Sequence, residues 1–212
     1  MNAPESFFQA AAGVSSESQL ARIVRSTEEI KSIVATAFKI NLMALNAIFL
    51  AKRAGTAALG FGVLSNELRR FAQDLTQQMA LLREMTAESV TAVSSLMQQR
   101  RLDRILDLAV RACEGKEIAG LDVVMARAEA AFGEKFQRLR QFDKVLHRAL
   151  ESTGQLVELG GVLARSAKIE AAYGGQYSSS LMQVSTDFAE VIDQIKLSLE
   201  KLTRERLIKE GS

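Results

Sequence analysis

Proline costs a helix interior roughly 3 kcal/mol, and this chain carries a single one, Pro4, in 212 residues. Everything after Pro4 is therefore free to run as long, unbroken helices. The apolar palette agrees: hydrophobic residues make up 48% of the chain but aromatics only 6%, with no Trp. Any core must be built from Ala, Leu, Ile, Val and Met, which suits closely packed helices.

Four apolar stripes at helical spacing follow one another. Serines at 15, 16 and 18 offer N-caps, and the first stripe then runs through Ile23, Ile30, Ile33, Ala37, Ile40, Ala44, Ala47 and Ala51. The second runs from about Phe61 through Leu64, Leu68, Phe71, Leu75, Leu82, Met85 and Val93 to Leu102, Leu106 and Ala109. A third takes in Leu121, Val124, Phe132, Phe136, Leu139, Phe142, Leu146, Ala149, Leu156 and Leu163, and a fourth Leu181, Val184, Phe188, Val191, Ile195, Leu199 and Leu202. Glycines mark the turns between them, at Gly55, at Gly115 and Gly120, and at Gly174-Gly175.

Each stripe escapes water only against its neighbours, so the pattern predicts an all-α fold, an elongated antiparallel four-helix bundle or coiled coil of two helical hairpins. The expected organisation is a flexible tail over 1–14 and one bundle over 15–210, with hairpins at 15–113 and 121–209. The second and third helices should outrun the first and last toward the 115–120 turn, leaving a pair in need of a cover.

Composition also narrows function. With 27 basic and 25 acidic residues the charge is nearly balanced, so nucleic acid is not an expected partner. One cysteine, Cys113, cannot form an internal disulfide, and no signal-peptide pattern opens the chain, which fits a cytoplasmic location. Asn41, Asn46, Lys52, Arg53 and several glycines interrupt the most apolar stretch, Ile40 to Leu64, so no membrane span is expected.

The turn near residue 55 carries the most information. It reads Lys39-Ile-Asn-Leu-Met-Ala-Leu-Asn-Ala-Ile-Phe-Leu-Ala-Lys-Arg-Ala-Gly55, then Gly60-Phe-Gly-Val-Leu-Ser-Asn-Glu-Leu-Arg-Arg-Phe-Ala72. Small side chains let helices approach closely, and asparagines beside an apolar surface can hydrogen-bond across helices and fix register. Over residues 26–75 this segment resembles the cytoplasmic signalling hairpin of methyl-accepting chemotaxis proteins, where an Asn-, Leu- and Ala-rich helix climbs to a glycine turn and a Gly-Phe-x-Val segment descends. The resemblance implies that Phe38, Leu42, Asn46, Arg53 and Val63 occupy positions that join receptor dimers or touch a coupling adaptor and histidine kinase. Glu67 matches the family's descending Glu. One departure stands out: the family's usual Glu in the Ala-Ile-Glu-Ala-Ala-Arg segment is Leu50 here, which removes a carboxylate near Arg53 and adds apolar area.

A fainter copy of the tip follows 120 residues later, Leu163-Ala-Arg-Ser-Ala-Lys-Ile-Glu-Ala-Ala-Tyr-Gly-Gly175, and here the family Glu is present as Glu170. Downstream, Leu64, Ser65, Glu67 and Leu68 align with Val184, Ser185, Asp187 and Phe188. The pattern reads as a degenerate duplication, two receptor-type hairpins in one chain that pack as the two hairpins of a receptor homodimer do.

Other sites are weak. His147 is the only histidine, too few for a triad or a metal set, and no phosphate-binding glycine motif occurs. No cofactor or metal is expected, and no enzymatic activity. Glu28-Glu29, Gln77-Gln78 and Gln98-Gln99 read as solvated faces, and Arg100, Arg101, Arg104 and Arg111 as partners for nearby acids. The expected function is a receptor-like signalling protein whose tips bind a coupling adaptor, a histidine kinase or a receptor array. The alternative is a self-assembling helical module that uses Phe49, Leu50 and Phe61 as an apolar patch for self-association.

Overall fold

Heptad spacing decides how this chain packs. A computed structural model describes residues 16–112 and 120–204, and every long element in it is an α-helix: α1 (Ser16–Ala54), α2 (Leu59–Ala112), α3 (Leu121–Ala172) and α4 (Ser178–Arg204). No strand occurs among the described residues, and the protein is an all-α helical bundle. The expected tail over 1–14, Cys113, residues 115–119 of the second turn and the segment after Arg204 lie outside the described residues.

The described helices fall into two compact units. One comprises 25–84 and 147–205, and the other holds 85–146 together with the start of α1. In the first, each helix carries a buried series that alternates three and four residues, with Phe71 and Val191 buried beside it. On α1 the buried positions are Ile30, Ile33, Ala37, Ile40, Ala44, Ala47 and Ala51. On α2 they are Phe61, Ser65, Leu68, Ala72, Leu75, Met79 and Leu82. On α3 they are Leu150, Thr153, Val157, Gly160, Ala164, Ala167 and Ala171, and on α4 Leu181, Ser185, Phe188, Ile192, Ile195, Leu199 and Leu202. This is the a/d pattern of a left-handed coiled coil.

Contacts close these four segments into a ring. A Cβ on Gly62 would stand 3.4 Å from Ala51, a Cβ on Gly160 would press on the Phe71 ring at 2.6 Å, and one on Gly154 would touch Leu199 at 3.9 Å. Glu29 of α1 faces Lys201 of α4 at 3.7 Å.

The burial pattern repeats at an offset of 120 residues. Each buried position just named on α1 and α2 has a buried counterpart on α3 and α4, from Ile30 and Leu150 to Leu82 and Leu202. The tight turns repeat as well: Gly55 has φ +65° and Gly175 has φ +57°, the left-handed region that glycine enters freely. A short 3₁₀ turn follows each, Gly55–Ala58 and Gly175–Tyr177. Even a buried hydroxyl is matched, since Ser65 donates to the Phe61 carbonyl and Ser185 to the Leu181 carbonyl, both at 2.8 Å. The duplication inferred from a faint sequence echo thus appears as equivalent core positions.

The third stripe needs correction. Leu156 and Leu163 are only half-buried, and the core positions one residue on are Val157 and Ala164. The seam of α3 is made of small residues that permit close approach, and the leucines flank it.

In the other unit, Ile23, Val93, Leu96, Phe132 and Leu139 form the core. Phe132 and Phe136 stack with centroids 6.0 Å apart, and the Arg100 and Arg140 guanidiniums lie 5.8 and 5.9 Å from the centres of those two rings. Burial lowers the Arg100 pKa from its ordinary value. Gln99, expected on a solvated face, is instead buried. It accepts from Lys135 Nζ and donates to Asp103, both at 3.1 Å. Leu102, Ala109 and Val124, expected in the core stripes, are exposed, because each falls at a c position of the register that buries Val93, Leu96, Phe132 and Leu139.

Candidate protein-interaction site

Once Ala37, Ile40, Ala44, Ala47 and Ala51 are fixed as a and d positions, the residues pointing away from the core are b, c and f. On most bundles those are polar. On α1 the b and f positions are Phe38, Leu42, Leu45 and Phe49, and on α2 they begin with Leu59 and Val63. Phe38 is 60% exposed, Leu42 47%, Phe49 66%, Leu59 66% and Val63 61%, while Leu45 is half-buried. An apolar stripe spaced four, three and four therefore runs up the outside of α1 toward the Gly55 turn, with Leu59 and Val63 beyond it on α2.

The sequence-derived site residues divide in two. Phe38, Leu42 and Val63 lie on this outer stripe, and Asn46 and Arg53 are exposed at c positions beside it. Leu50 and Glu170 occupy matching g positions and are half-buried. The Glu170 carboxylate packs against Gly60 of α2, so it serves contact between the two hairpins. Glu67, also half-buried, accepts from Arg70 Nη1 at 2.9 Å. Phe61, offered as part of an apolar surface patch, is fully buried because it is a d position. Phe49 is exposed as expected. Leu45 and Leu59 went unnoticed, although the register that explains Ile33 to Ala51 also leaves both facing outward.

The asparagines behave differently from one another. Asn66 Nδ2 donates to the Gly62 carbonyl at 3.0 Å within its own helix. Asn41 Oδ1 is shielded from solvent with no hydrogen-bond partner, and Asn46 is exposed.

Charge sets the rim. From Ile30 to Asn66 the sequence holds Lys31, Lys39, Lys52 and Arg53 and no Asp or Glu. Lys31 donates to Glu28 at 2.8 Å. The equivalent face of the second hairpin has another character: Glu158 stands where Phe38 does, Arg165 where Leu45 does, and Ser179 and Gln183 where Leu59 and Val63 do. Lys196 Nζ donates to Glu158 at 2.5 Å. That hydrogen bond and the lysine's charge hold the Glu158 carboxyl below the usual carboxylate range and push Lys196 above the usual lysine value.

Among the described residues no three His, Cys, Asp or Glu side chains come together, and His147 Nε2 faces Glu151 at 3.3 Å. Within 21–106 one window of 18 residues is long and apolar enough, by composition alone, to cross a membrane. This amends the expectation of no such stretch, since two asparagines weigh little against so many Ala, Leu, Ile and Phe. Neither a protein-family model nor a curated protein matches the chain.

Proposed function

We propose that this protein is a cytoplasmic, non-enzymatic signalling protein of the chemoreceptor kind, whose first hairpin tip docks on a chemotaxis coupling adaptor, a histidine kinase or a receptor array. One observation carries the reading. At the positions where the resemblance implies partner contacts, Phe38, Leu42 and Val63 are large apolar side chains turned out to solvent in a helix whose own core is already complete. Single exposed apolar residues need no explanation, but a heptad-spaced run of them marks an interaction surface. The fold supports the reading in a second way, because two equivalent hairpins in one chain are what the resemblance to a two-hairpin receptor dimer implies. Input would then bias two packings of the bundle, with the tip reporting which one is populated.

Co-sedimentation of the full chain with assemblies of purified coupling adaptor and kinase tests this. The wild-type chain is expected to pellet with them, Phe38→Glu to weaken binding about tenfold or more, roughly the loss of one hot-spot side chain, and Asn46→Ala and Arg53→Ala to weaken it less. Absence of wild-type binding, or equal binding by all four proteins, contradicts the proposal.

A further inference from the structure

We infer that the duplicated hairpins have divided their labour: only the first carries a docking face, so the protein engages a single partner molecule, through an apolar surface on that partner rimmed by carboxylates. The inference rests on the proposed tip function and goes beyond it by fixing stoichiometry, side and partner chemistry.

Core positions, turn glycines and buried serines coincide at the 120-residue offset, so any difference on the outer face is not imposed by packing. Yet that face differs at nearly every position. The run Phe38, Leu42, Leu45 and Phe49 becomes Glu158, Val162, Arg165 and Ile169. On the second hairpin a charge stands at two of these four positions, Glu158, held by Lys196, and Arg165, which separates the exposed apolar Val162 from Ile169. Docking an apolar surface there would strip water from ionised groups, which costs more than the flanking apolar area returns. On the first hairpin nothing charged interrupts the stripe.

The occupant follows from the rim. Lys39, Lys52 and Arg53 border the stripe, and no carboxylate lies between Ile30 and Asn66. Across a two-fold axis, a second copy using the same face would set these cations against one another, whereas an acidic rim would complement them. The stripe covers twelve residues, 38–49, a length of about 16 Å at 1.5 Å rise per residue.

Calorimetric titration of purified coupling adaptor into the full chain tests the inference. One site per chain is expected, weakened about tenfold or more by Leu42→Glu and changed less than about twofold by Ile169→Glu, with circular dichroism confirming that both variants fold. Two sites per chain, or equal sensitivity to Ile169→Glu, overturns the division of labour while the proposed function stands. Sedimentation equilibrium of the chain alone and flotation with phosphatidylglycerol vesicles run in parallel. Should the adaptor fail to bind, the proposed function fails and this inference with it. Leu42-dependent self-association or vesicle binding would then assign the face to a second copy or to lipid.

Discussion

Phe71 and Gly160 show how two copies of one motif can differ side chain by side chain and still pack. The position equivalent to Phe71 is the smaller Val191, and the position equivalent to Gly160 is the larger Ile40, so volume added in one place is removed in the other. Phe71 is almost wholly buried and its ring occupies the space a Cβ on Gly160 would take. Gly160→Ala is therefore expected to cost about 1–3 kcal/mol by overpacking. Gly161→Ala, whose new Cβ would meet nothing nearer than Arg165 Nη1 at 3.6 Å, should be neutral or up to about 1 kcal/mol more stable by helix propensity. Adding Phe71→Val to Gly160→Ala should recover most of the loss in a denaturant melt; additive losses would show that ring and glycine do not share the space. None of this exchange was legible in the sequence, because a glycine in a helical stripe looks like a defect until the ring that fills its place is known. Leu50 and Glu170 illustrate the same limit: both could be aligned from the sequence, but only coordinates show that Glu170 turns toward Gly60 and the interior contact between hairpins.

Among the elements, α1 and α4 could be read almost completely in advance. Every residue of the first expected stripe, from Ile23 to Ala51, is buried, because Ile23, Ile30, Ile33 and Ile40 set a helical register that Ala37, Ala44, Ala47 and Ala51 continue. On α3 the expected stripe drifted by one position, since Ala and Gly carry too little contrast to outvote Leu156 and Leu163. The outer face of α3 also titrates in a definite direction. Glu158 has a depressed pKa owing to Lys196, so the stabilisation from their pairing is complete above the usual carboxylate range and is lost as pH falls through the depressed value. Seen from Lys196, whose pKa is raised, it is lost again as pH climbs through the elevated lysine value. The melting temperature of Glu158→Gln should accordingly lie below wild type at neutral pH, by a small margin because the pair is exposed, and converge with it in acid. A gap that persists unchanged at low pH would mean that the carboxylate charge plays no part.

At the scale of the whole molecule, the bundle, the repeat and the proposed docking face stand on different features of the chain. The all-α bundle followed from missing proline, stripe spacing and turn glycines, and the structure shows it. The repeat followed from a thirteen-residue echo, and equivalent burial across both hairpins now supports it far more broadly than sequence identity could, because a coiled-coil core preserves size class and register while residue names drift. The proposed docking role rests on exposure of the b and f stripe, which the sequence contained but which became visible only once the a and d positions were assigned. The most direct test is an isotope-edited amide spectrum of the full chain recorded with and without purified coupling adaptor. The account expects perturbed signals to concentrate at residues 38–53 and 59–66, with the equivalent stretch around 158–173 unchanged. Perturbations confined to residues 85–146, or spread equally over both hairpin tips, would contradict it.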